Sequence, residues 1–130
     1  MDAEIRDEER LLRAVWPESE KPSFWMSDGH LAPAALKDSR GLSVHRTGDR
    51  TLDAAIRETQ AYGFRGALFS IGCSDCRKVG AYVVFTPSER YPFHCELWGS
   101  PTCRILDDLQ ALILGRSAAW EAPASVTVTR

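Results

Sequence analysis

Phe93-His94-Cys95-Glu96-Leu97-Trp98 decides how this chain is read. Phe93, Cys95 and Leu97 alternate with His94, Glu96 and Trp98, the period-two pattern of a strand with one face on a core and the other free. Upstream, residues 81–86 read as a second apolar strand stopped by Pro87, and residues 66–71 as a buried one. Residues 41–46 alternate too, with Leu42 and Val44 facing one way and Ser43 and His45 the other. Helical patterns lie between the strands. Leu52, Ala55, Ile56, Thr59 and Tyr62 share one face of a helix that Asp49 or Thr51 can cap and Gly63 can end. Residues 74–79 read as a helical turn capped by Ser74 and closed by Gly80. A helix is expected over residues 102–114, with Ile105, Leu106, Leu109 and Ile113 as its core stripe and Gly115 at its end.

The flanks are less regular. Residues 2–16 carry a ragged helical pattern ending before Pro17, with a strand over residues 11–16 as the alternative. Pro17, Pro22, Gly29 and Pro33 make residues 17–40 an ordered loop with one short helix near Ala34. Residues 125–129 alternate valine with threonine, as an edge strand does. Mixed helices and strands with short connections predict one α+β domain over residues 1–130, a small, mainly antiparallel sheet with about three helices packed against it. Residues 1–10 are expected to form a mobile acidic segment.

A chain of 130 residues suits a single core, and its 44% hydrophobic and 26% charged residues are those of an ordinary globular domain. A formal charge of −2 and a pI near 5.9 offer no general attraction to phosphate backbones or anionic lipid. Nucleic acid is therefore not a favoured partner. Residues 1–20 hold seven acids against three arginines, a net of −4, which leaves +2 on the remaining 110. The acidic opening lacks the basic and apolar runs of a secretory leader, and no stretch is long enough to span a bilayer. A cytoplasmic location without membrane association is expected, and there four cysteines need not form disulfides.

Cys73 and Cys76 have the two-residue gap that lets two thiolates face one metal ion. Cys95 and Cys103 lie eight apart and form no matching pair. Reduced cysteine is among the most buried residue types, so core packing is the expected use of all four. Cys73 and Cys76 remain the only metal candidates, and no cofactor is expected. Because neighbouring strand residues face opposite ways, His94 cannot activate Cys95 as a nucleophile.

The polar strand faces hold the better chemistry. His94 and Glu96 stand two apart on one side, and Ser43 and His45 do the same on theirs. Lining one cleft, they would supply a base, an acid, a charge stabiliser and a hydroxyl. The simpler alternative is that both faces are solvated, as on many antiparallel sheets.

Arg13 within Leu11-Leu12-Arg13-Ala14-Val15, then Ser43, then Glu96 on a late strand is similar to the order of functional residues in ADP-ribosyltransferases. That resemblance implies an arginine on the NAD phosphates, a serine supporting the nicotinamide pocket and a glutamate orienting the ribose. This chain has His94 where the best-known pattern places a second acid, and Leu42-Ser43-Val44 where the family shows serine-threonine-serine. A metal-independent ribonuclease would instead use Glu96 or His45 as base, His94 as acid and Arg46 on the phosphate. The acidic balance opposes that option.

Leu11-Leu12-Arg13-Ala14-Val15, Ala35-Leu36-Lys37-Asp38, Gly41-Leu42-Ser43-Val44 and Phe93-His94-Cys95-Glu96 together resemble small uncharacterised bacterial proteins with the same succession. The expectation is a bacterial cytoplasmic accessory or interaction protein that meets a protein partner through Trp16, Trp25, Trp98 and Trp120, since tryptophan is enriched at interface anchors. The alternative is a small enzyme acting on NAD or a nucleotide through His94, Glu96, Ser43, His45 and Arg13.

Overall fold

A computed structural model of the protein describes residues 5–123, and the strand expected over residues 125–129 lies outside them. Six strands form one antiparallel sheet: β1 (Arg10–Val15), β2 (Leu42–Arg46), β3 (Ala67–Gly72), β4 (Tyr82–Phe85), β5 (His94–Trp98) and β6 (Ala119–Ala122). Their spatial order is β4-β5-β2-β1-β3-β6. The helices are α1 (Leu52–Ala61), α2 (Cys73–Lys78) and α3 (Asp108–Ser117). This is the expected small α+β domain, built on an antiparallel sheet with three helices.

One face carries the main core. Leu11, Val15, Leu42, Val44, Ile71, Val83, Cys95 and Leu97 are buried there beneath α2, α3 and the single-turn helix Pro33–Leu36. The other face is covered only in part. There α1 lies over β1 with Ala55 and Thr59 buried, Thr51 accepting from the Ala54 amide at its start and Gly63 at φ +79° beyond its end.

Residues 10–15 form a strand, not the helix preferred for residues 2–16. Leu11 and Leu12 are both fully buried, because β1 sits mid-sheet with cover on each face. A strand buried on two sides shows no alternation, so its period is hidden. Within the segment expected to be mobile, Ile5 belongs to the core and Glu9 is 2% exposed, while Arg6, Asp7 and Glu8 between them are exposed.

The predicted helix over residues 102–114 starts late, and of its expected core stripe Leu106 is buried while Ile105, Leu109 and Ile113 are exposed. Asp107 and Gln110 form a reciprocal capping box that sets the start at Asp108. Gln110, Ala111, Leu114 and Gly115 are then buried, while Leu109 is 63% and Ile113 41% exposed. Gly115 lies inside α3, against the Leu31 carbonyl: a Cβ there would stand 2.6 Å from that oxygen, so the close approach of the loop demands glycine.

Gly66, leading into β3, adopts φ +99°, and a Cβ on it would lie 2.0 Å from the Val15 carbonyl oxygen. Left-handed backbone costs an L-residue about 1–2 kcal/mol and the overlap adds to that. Gly66→Ala is expected to lose about 2–3 kcal/mol of stability in urea unfolding. An unchanged midpoint would mean that the turn relaxes freely.

Candidate functional site

Register assembles the polar face row by row. His45 of β2 pairs with His94 of β5 on one side and with Leu12 of β1 on the other, and Ser43 pairs with Glu96. Cross-strand pairs share a face, so this register joins the histidines, Ser43 and Glu96 on one face. Val84 and Tyr82 of β4 extend the face opposite Glu96 and Trp98.

The β1–β2 ladder is registered only at Leu11–Arg46 and Leu12–His45. Past that point the strands part, and the Arg13 guanidinium enters the gap, donating from Nη1 to the Ser43 carbonyl at 3.2 Å. A cavity of about 270 Å³ opens here, walled by Leu12, Arg13, Ala14, Trp16, Ser43, His45, Phe64 and Arg65. Arg65 lies 4.8 Å over the Trp16 ring and pairs with Glu20 at 2.6 Å.

His45 is 6% exposed, contrary to the solvated face that strand alternation suggests. The rings of Tyr62, Phe64, Tyr91 and His94 surround it with centroids 5.3–5.6 Å away. Tyr62 caps the C-terminal end of α1 and Phe64 follows Gly63, so the helix end drops aromatic cover onto the strand. Burial, with the charges of His94, Arg50 and Arg13 adding, pushes the His45 imidazole down to about 4. Its ring is neutral at physiological pH.

Two buried side-chain polar atoms among the described residues have no hydrogen-bond partner: His45 Nδ1 and Arg13 Nε. Both belong to residues of this cavity wall. Burial lowers the Arg13 guanidinium from its ordinary value while Asp38 opposes the change, and arginine keeps its proton.

His94 and Glu96 adjoin the cavity without lining it. His94 Nδ1 meets Thr86 at the hydroxyl, 2.8 Å, and at the carbonyl oxygen, 3.1 Å. Glu96 Oε1 accepts from Trp98 Nε1 at 2.8 Å and lies over Gly41, where a Cβ would approach it to 2.7 Å. The structure thus brings Arg13, Ser43 and His45 to one cavity and holds His94 and Glu96 on the next strand.

The sequence reading missed Trp16, Phe64, Arg65 and Tyr91 as parts of this site. Tyr62-Gly63-Phe64 carried a local signal, two aromatics flanking a helix-ending glycine. Nothing local marks Tyr91, which arrives on the loop between β4 and β5.

The cysteines contribute little here. Cys73, Cys76 and Cys95 are buried in the core, and burial pushes the thiols of Cys73 and Cys95 up to about 12 and that of Cys76 higher than its ordinary value. Cys103 departs from the expected core packing: it is exposed, with its thiol directed to the Ile105 carbonyl at 3.5 Å. Cys73 and Cys76 gain no third partner, since no cluster of three or more histidine, cysteine or acidic residues suited to a metal occurs among the described residues. No helix among them is long and apolar enough to cross a membrane.

Fold and site together define a small antiparallel α+β domain with a cation-bearing, aromatic-walled cleft between two central strands. No family model, curated protein or solved structure matches the chain.

Proposed function

We propose that the protein is a small enzyme acting on NAD or a related nucleotide, bound in the cleft between β1 and β2. The observation that carries this reading is the pair of unpartnered buried polar atoms, Arg13 Nε and His45 Nδ1, at one cavity. A buried donor or acceptor without a partner costs about 1–3 kcal/mol, and such groups in native proteins call for a specific reason. A ligand that accepts from Arg13 and hydrogen-bonds the neutral His45 supplies one. The cation suits a phosphate, and Trp16 and Phe64 offer faces for a planar ring.

The similarity to ADP-ribosyltransferases adds support of another kind. Its three residues stand on three neighbouring strands, Arg13 on β1, Ser43 on β2 and Glu96 on β5, with Ser43 and Glu96 in direct register. In that reading Arg13 holds phosphate, Ser43 shapes the base pocket and Glu96 orients the ribose. The glycosidic bond then breaks, nicotinamide leaves and an acceptor nucleophile joins the ribose carbon. The cavity lies just below the usual range for small-molecule sites, so it holds one end of a dinucleotide.

Titration calorimetry with NAD, ADP-ribose and a mononucleotide tests the proposal. Arg13→Ala is expected to weaken binding about 10- to 100-fold, the worth of a charge-assisted hydrogen bond, while Glu96→Gln still binds but loses turnover. A wild-type protein that binds none of the three would overturn it.

A second reading rests on exposed aromatics. Trp120 is 58% and Trp16 38% exposed, and Trp120 stands on edge strand β6 beside a cleft lined by Pro17, Glu18, Trp25, Ala67 and Pro123. These support an accessory role with a protein partner. Trp98 is a weaker anchor, since it holds Glu96 and lies beneath Arg104. Loss of a co-purifying partner in Trp120→Ala would support this role, and retention in both Trp120→Ala and Trp16→Ala would remove it.

A further inference from the structure

The outward face of α3 is apolar where a surface helix is normally polar. Its inner residues Gln110, Ala111, Leu114 and Gly115 are buried on the core, so the 3.6-residue period turns Asp108, Leu109, Ile113 and Arg116 outward, with Leu112 half-buried at the edge of that face. Leu109 is 63% and Ile113 41% exposed, and Ile105 just before the helix is 37% exposed. Large aliphatics four residues apart at such exposure form a patch, not scattered surface residues.

The charges on this face suggest what covers it. Asp108 lies four residues before Leu112 and Arg116 four residues after it. We propose that α3 packs antiparallel against α3 of a second copy of this chain, with Leu112 on the two-fold axis. Two-fold symmetry makes the patch meet itself, and a four-residue step is about 6 Å along a helix. Each Asp108 then stands beside the other copy's Arg116, with Leu109 and Ile113 interleaved between the two pairs. The same order of acid before base also suits the helix dipole, with Asp108 in the first turn and Arg116 in the last.

The flanking groups are compatible with this pairing. Asp108 is paired within its own chain to Lys37, but its carboxylate is 93% exposed and two oxygens can accept from a second cation. Arg116 enters no ion pair among the described residues; hydrogen bonds from His30 hold the Asp28 carboxyl down, and Arg116 adds the smallest share of that lowering. A parallel pairing would set like charges together at both ends, which costs stability. The helix of ten residues is about 15 Å long, so the contact is short and the association weak.

Sedimentation velocity on the full chain across a concentration series, up to about 1 mM to reach weak association, tests the arrangement. The wild type is expected to form a dimer, and Leu109→Glu to be monomeric with an unchanged circular dichroism spectrum. Arg116→Asp should weaken the dimer at least tenfold, and adding Asp108→Arg should restore it, because the exchange returns opposite charges to each pair. A wild type that stays monomeric at every concentration, or a dimer indifferent to Leu109→Glu, would overturn the proposal. So would a double exchange no tighter than Arg116→Asp alone, since a contact that ignores the charge order is not this antiparallel one. The nucleotide site lies on the opposite side of the sheet, so these outcomes are independent of it.

Discussion

Glu9→Ala is expected to destabilise the protein by about 3–5 kcal/mol, the usual cost of breaking a buried ion pair by removing one partner. Glu9 is 2% and Arg46 7% exposed. Arg46 donates from Nε to Glu9 Oε1 at 2.9 Å and from Nη2 to Oε2 at 2.6 Å, a two-pronged pair that fixes orientation as well as charge. The amides of Gly48 and Arg6 donate to the same carboxylate at 2.9 and 3.0 Å. Burial alone would raise the Glu9 carboxyl, but the Arg46 guanidinium and these amides overcome it and hold it at about 2. Phe85 covers the guanidinium, whose carbon stands 4.7 Å from the ring centroid. Alanine at position 9 would remove both hydrogen bonds that this carboxylate accepts from the buried guanidinium and leave two amides without their acceptor. Glu9→Leu combined with Arg46→Met should recover much of the loss, because two well-packed apolar side chains can replace a buried pair. Denaturant midpoints of the single and double variants check both statements, and a single variant within about 1 kcal/mol of wild type would refute the first.

Acidification should cost nearly as much, and earlier than carboxylate protonation would. His45 titrates near 4 in the folded chain, mainly because it is buried, against about 6.5 when unfolded. Its depressed value means that the unfolded chain binds the proton first. The stabilising contribution is therefore complete above pH 6.5 and is lost as the pH falls toward 4. At 1.36 kcal/mol per unit the full loss is about 3 kcal/mol. Glu9 loses its own contribution in a lower window, between about 4.5 and 2. Unfolding measured at pH 7, 5.5 and 4 should show the first decline in wild type and a flatter profile in His45→Leu. Parallel profiles would mean that another group carries the acid sensitivity. A ligand that accepts a hydrogen bond from a protonated ring would reverse the trend and stabilise the complex at low pH.

The most legible strand was the one with a single buried face. Residues 94–98 alternate, and burial follows that alternation in Cys95 and Leu97 against His94, Glu96 and Trp98, whereas in β2 only Ser43 is exposed. Burial on both sides erased the signal in β1, where Leu11 and Leu12 are equally hidden. In α3 the apolar spacing was real and its direction was misread, because the capping box at Asp107 and the Gly115–Leu31 approach choose which side meets the core. Those constraints come partly from a loop eighty residues away in sequence.

The site divides the same way. That His94 and Glu96 share a face, and that Ser43 and His45 share one, follows from the strand period, a local property of the backbone. Alternation could not say that the two faces are one face, that His45 sits under Tyr62, Phe64 and Tyr91, or that Arg13 reaches Ser43 across thirty residues. Those neighbours depend on strand order and register, which the packing of distant segments decides. The sequence by itself determined the α+β class and the side on which each polar residue of β2 and β5 stands. Tertiary structure alone decided that β2 lies between β1 and β5, that the β1–β2 ladder opens at Arg13, and that a histidine on an open-looking strand is buried and neutral. The physical reason is range: side-chain direction repeats every two residues along a strand, whereas burial depends on what the rest of the chain lays over it.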